Sequence, residues 1–90
     1  MNKLTICIPR VENNVNKKLI YDVLNDYDFG SIKKIDLINI GKYKRVFIHY
    51  KYWNTNPISM KVKDVLMEKK DIKLIYNSPW YWKCSLYIPN

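Results

Sequence analysis

With 90 residues the chain has room for one domain, expected over 1–90, and little else. Nearly half of it is apolar, enough for a packed core, which excludes a disordered chain. Sixteen Lys and Arg against eight Asp and Glu leave a formal net charge of +8, which points to an anionic partner, nucleic acid or a membrane surface.

The charge has a blander reading as well. The chain has no Ala or Gln and is rich in Ile, Lys, Asn and Tyr, the bias of an AT-rich genome, so part of the lysine content reflects codon usage. No apolar run approaches the length of a membrane span, and Met1 to Arg10 lacks the core of a signal peptide. The expectation is an intracellular protein, cytoplasmic or nuclear, with no membrane partner. Cys7 and Cys84 fit neither a zinc spacing nor a CxxC motif and are expected as free thiols of a reducing compartment. No cofactor or metal is expected.

Leu4, Ile6 and Ile8 alternate with Thr5 and Cys7, which predicts a strand ended by Pro9 and followed by a polar loop over Arg10 to Asn14. Val15, Leu19, Ile20, Val23, Leu24 and Tyr27 recur at helical spacing, predicting a helix from about Asn14 to Asp26, capped by Asn13 or Asn14, with Gly30 reversing the chain afterwards. Ile32 to about Ile40 and Tyr43 to Tyr52 read as strands joined through Gly41-Lys42 in a hairpin. Asn56-Pro57 starts a second helix with Ile58, Val62, Val65 and Leu66 as its apolar stripe. Asp71 to Tyr76 and Trp80 to Ile88 are extended, with a turn at Asn77-Ser78-Pro79.

The order is β-α-β-β-α-β with an extra short strand before the last. This is an α+β, ferredoxin-like arrangement: a four-stranded antiparallel sheet with both helices on one face and the first and third strands at its centre. In order and length of elements the chain resembles the RNA recognition motif family over nearly its whole extent. The family's third-strand octamer, K/R-G-F/Y-G/A-F-V-x-F/Y, aligns with Tyr43-Lys44-Arg45-Val46-Phe47-Ile48-His49-Tyr50, matching in kind at Phe47, Ile48 and Tyr50. Its first-strand hexamer aligns with Leu4-Thr5-Ile6-Cys7-Ile8-Pro9, where Thr5 replaces an aromatic. Arg45 replaces another, so Phe47 alone remains of the family's stacking aromatics.

Strand alternation then sorts the side chains by face. With Leu4, Ile6, Ile8, Val46, Ile48 and Tyr50 toward the helices, the open face carries Thr5, Cys7, Arg45, Phe47 and His49, with Lys34, Asp36 and Ile38 on the second strand and Lys83, Ser85 and Tyr87 on the last. The resemblance implies that this face binds single-stranded RNA or DNA, RNA first: bases stack on Phe47, Arg45 stacks or binds phosphate, and Lys42 and Lys44 beside the hairpin turn join Lys33, Lys34, Lys51 and Lys83 in a basic rim.

Other groups have plainer readings. His49, the only histidine, has no carboxylate or thiol at catalytic spacing in the sequence and reads as a surface residue. Asp22, Asp26 and Asp28 read as helix-end solvation. No nucleophile with a base, no carboxylate pair and no Gly-rich phosphate loop is present in the sequence, so no enzyme is expected. Trp82 is expected to be buried with Cys84 and Leu86, while Trp80 stays open between platform and interface. Tyr52 and Trp53 either staple the second helix or add a stacking position. The turn before the Trp-rich last strand resembles small proteins of large DNA viruses. The competing expectation is a degenerate member of the family whose exposed aromatics, Tyr21 among them, hold a protein partner or a second copy.

Overall fold

An alternating run is a strand only if one set of its side chains finds a core, and Ile6 and Ile8 do: both are fully buried in the computed structural model, which describes residues 3–88. Residues 1–2 and 89–90 of the expected domain lie outside the described residues. Strand β1 spans Thr5–Glu12 and so runs past Pro9. Its pairing with the third strand passes from Ile8↔Val46 to Val11↔Lys44, so Pro9 and Arg10 together face Arg45 in a β-bulge. Proline has no N–H to give a ladder, and a bulge is one of the few places in a sheet that tolerates it. The bulge also returns Val11 to the buried face.

Helix α1 spans Lys17–Tyr27, later than predicted. Its cap is Asn16, not Asn13 or Asn14: Asn16 Oδ1 accepts the Leu19 N–H at 2.9 Å. Burial decides among the three asparagines, because Val15 is drawn into the core just before the helix and leaves Asn16 at its mouth. Ile20, Val23 and Leu24 face inward, whereas Leu19, read as part of the stripe, is exposed. The reversal after α1 is made by Asp28 in the left-handed region (φ 55°), its N–H bonded to Leu24 O at 3.0 Å.

Gly30 has a different task. It opens strand β2, Gly30–Asn39, opposite Trp53 of strand β3, Tyr43–Trp53. A Cβ there would lie 2.2 Å from Tyr52 O. The hairpin turn passes through Gly41 at φ 101°, a conformation favouring glycine. Helix α2 spans Pro57–Met67 with the predicted cap: Asn56 Oδ1 accepts the Ser59 N–H at 2.9 Å. Its inward residues are Ser59 and Leu66, with Val62 partly buried; Ile58 is 73% exposed. The buried indole of Trp53 packs at this end of the helix and donates to Ser59 O at 2.7 Å. Trp53 therefore staples α2, while Tyr52 is exposed.

Strands β4, Ile72–Asn77, and β5, Trp80–Leu86, form a second hairpin across a turn with a cis Ser78–Pro79 bond. The sheet has five antiparallel strands in the order β2-β3-β1-β5-β4, not four. The extra strand is a full edge member, paired to β5 from Ile72↔Cys84 to Asn77↔Trp80. Tyr27 of α1 guards that edge: its hydroxyl accepts the Ile75 N–H at 2.7 Å and lies 3.3 Å from Ile75 O. The element order is compatible with a ferredoxin-like fold, and β1 and β3 are neighbours as expected.

One core joins Ile6, Ile8, Val46, Ile48, Leu74, Trp82 and Cys84 of the sheet to Ile20, Leu24 and Leu66 of the helices. Each aliphatic side chain buried this way contributes about 1.5–3 kcal/mol. Aromatic contacts seal one end of it: Tyr27 stacks on Phe29, Phe29 on Trp53, and Tyr50 meets Trp53 edge-on at 4.8 Å. Trp82 is buried as predicted, stacked on Tyr76 at 4.3 Å. No helix among the described residues is long and apolar enough to cross a membrane.

Candidate functional site

Residues paired directly across antiparallel strands share a face. The register sets Thr5 against His49, Cys7 against Phe47 and Ser85, Lys34 against His49, Asp36 against Phe47, and Ile38 against Arg45. All of these are only partly buried or exposed, while the alternate residues form the core. The expected parity of β1, β2, β3 and β5 therefore holds, and the helices lie on the other face. On the outer hairpin the same rule adds Lys73 opposite Lys83 and Ile75 opposite Tyr81.

Phe47 sits near the middle of this face. The ring of Tyr87 meets it edge to face at 4.8 Å between centroids, and the Tyr87 N–H is anchored to Thr5 O at 2.9 Å. Cys7 and Ser85 lie beside them. Burial pushes the Cys7 thiol above its ordinary value, with Arg45 opposing, so it stays protonated at neutral pH.

His49 is not the unpartnered surface residue the sequence suggested. Its Nε2 lies 2.8 Å from Asp36 Oδ2 and its Nδ1 lies 3.1 Å from Thr5 Oγ1. An ionised carboxylate only accepts, so Nε2 donates to Asp36, while Nδ1 shares a hydrogen bond with the Thr5 hydroxyl. The hydrogen bond from His49, then the nearby Lys34, hold the Asp36 carboxyl below its ordinary value. A hydroxyl, an imidazole and a carboxylate in line is a geometry known from base-activated nucleophiles. Through it one imidazole beside Phe47 ties β3 to β1 on one side and to β2 on the other. Thr5 lies directly opposite His49 on β1, whereas Asp36 is a diagonal partner on β2, whose register shifts at Ile32/Lys34, and sequence spacing gives no sign of either.

The cations divide. Arg45, Lys34, Lys73 and Lys83 are on the open face, with Lys34 3.8 Å from Asp36 and Lys73 Nζ 4.8 Å from the Tyr81 ring centroid. Like charges directly opposite each other, as in Lys73 and Lys83, destabilise a sheet unless an anion lies between them. Lys42 is exposed at the hairpin tip. Lys44 leaves the expected rim, because its parity is that of Val46 and its Nζ donates to Val15 O at 3.3 Å. Lys51 and Lys33 are exposed without a pairing that sets them on this face.

Two residues left out of the expected site belong to its surroundings. Arg10 was assigned to a loop but sits in the bulge, its guanidinium 5.0 Å from the Tyr43 ring centroid. Tyr81 joins the open face through its pairing with Ile75. Asp22 is engaged by Lys18 at 2.8 Å, and the described residues hold no group of three or more His, Cys, Asp or Glu that could bind a metal ion. Both cysteines are free. No family model, curated protein or solved structure matches the chain.

Proposed function

We propose that this chain is a divergent RNA recognition motif whose open sheet face binds single-stranded nucleic acid, RNA in the first instance, without chemistry. The observation that carries this reading is an uncovered sheet face with an aromatic pair, Phe47 and Tyr87, near its centre and Arg45, Lys34, Lys73 and Lys83 around it. A base stacks on an aromatic ring whatever its identity, which suits recognition with little sequence preference. Arg45 can stack on a neighbouring base or hold a phosphate, and the lysines act as point charges on the backbone. The net charge of +8 has the sign that this requires.

The exposed aromatics favour a second reading. Trp80, Tyr81 and Ile75 at the β4–β5 hairpin are each more than 40% exposed, the composition of a protein-interface anchor. Fluorescence anisotropy of labelled U, A and dT oligonucleotides over a salt series separates the two. With about four phosphates neutralised, the log–log slope of affinity against salt is about −3 for a single strand. A slope near zero, or no binding at low salt, transfers the surface to a protein partner.

A further inference from the structure

Strands β1 and β5 pair at only two positions, Ile6↔Leu86 and Cys7↔Ser85, and then part. The cause lies in the bulge. Pro9 offers no N–H, and β1 turns there to keep its register with β3, while β5 continues along β4. A groove of about 470 Å³ opens in the fork, lined by Pro9, Arg10, Trp80, Tyr81, Trp82 and Lys83. That is the size of a small-molecule site.

The lining is chemically one-sided. Trp80 is 63% exposed and Tyr81 42%, so two large rings stand in water at the groove. Arg10 and Lys83 supply two cations, and no carboxylate lines it; Glu12 lies in the hollow beyond Arg10. Trp82 is 97% buried and stacked on Tyr76, so it lines the groove without standing in water. A flat ring with an attached anion meets both demands, stacking and charge.

We propose that the β1–β5 fork seats one nucleotide, its base against Trp80 and Tyr81 and its phosphate toward Arg10 and Lys83. This rests on the nucleic-acid reading of the sheet face and extends it. The fork lies beside Lys83 on the same sheet as Phe47, so a strand stacked on Phe47 continues into it.

The three tryptophans give three indole N–H signals in a ¹⁵N-labelled sample. Titration with adenosine monophosphate at millimolar concentration, and separately with an A oligonucleotide of about ten nucleotides, is expected to shift the Trp80 and Trp82 signals. Trp53, already bonded to Ser59 O, is expected to stay. Trp80→Ala is expected to weaken the oligonucleotide by about 5- to 150-fold, and Phe47→Ala to leave the mononucleotide shifts in place. Mononucleotide shifts without oligonucleotide shifts make the site one for free nucleotides and overturn its place on a strand. Oligonucleotide binding that depends on Phe47 but moves neither indole rejects the fork and keeps the proposed function. Absence of indole shifts together with absence of any oligonucleotide binding rejects both, and indole shifts with an acidic peptide alone overturn the nucleotide.

Discussion

Replacing Phe47 with Ala separates binding from folding, because the ring lies on the face away from the core. In the folded protein it loses its edge contact with Tyr87, worth about 0.5–1.5 kcal/mol, and some β propensity. Val46 and Ile48, its buried neighbours, keep their packing. The expected loss of stability is about 1 kcal/mol, a fall of about 4–8 °C in Tm for a domain of this size. Loss of base stacking costs about 1–3 kcal/mol of binding, a weakening of about 5- to 150-fold. Anisotropy with a U oligonucleotide at low salt reads the second quantity and urea unfolding the first. Phe47→Tyr should restore binding, since it keeps the stacking face. A dissociation constant unchanged within about twofold, alongside the expected small loss of stability, would refute stacking at this position.

The remaining expectations concern the scaffold. Gly30→Ala places a Cβ 2.2 Å from Tyr52 O and 2.9 Å from Trp53 Cα, both backbone, so β2 and β3 must separate. The cost should be about 1–3 kcal/mol by urea unfolding, and an unchanged midpoint would contradict the close approach. At high pH the buried acids act together. Burial pushes Cys84 up from 9.0 to about 12, and burial also raises Tyr50 above its ordinary 10.0. The unfolded chain ionises these groups first and binds fewer protons, so their stabilisation is intact below about pH 9 and is lost as pH rises. The slope is about 1.4 kcal/mol per pH unit for each group, and a urea midpoint constant from pH 8 to 11 would disprove it. For the same reason Cys84 should resist iodoacetamide at about pH 8 until the chain is unfolded.

Local patterns that report the nearest buried face were legible in the sequence. Alternation placed Thr5, Cys7, Arg45 and Phe47 together, and Asn56-Pro57 marked the start of α2, because each depends on residues close in the chain. Features decided by distant packing were not legible. Three asparagines could cap α1, and only the burial of Val15 selects Asn16. Ile58 fits a stripe, yet the turn that meets the buried Trp53 indole faces it with Ser59 and leaves Ile58 exposed. Pro9 read as an end of pairing, whereas the bulge carries β1 on to Glu12 and brings Arg10 to the fork. The partners of His49 come from two other strands, so no spacing within one segment could reveal them. Lys44 was assigned to the rim by its nearness to the turn, but parity sends it to the helix side.

The most direct test of the sheet face as a nucleic-acid platform is an NMR titration of the labelled protein with U, A and dT oligonucleotides of about ten nucleotides, at low and then higher salt. Binding to this face should shift the amides of Thr5, Arg45, Phe47, Lys83 and Tyr87 together, with the response weakening as salt rises. Shifts that are absent, or spread over exposed lysines such as Lys17, Lys51 and Lys61 without Phe47, would contradict it.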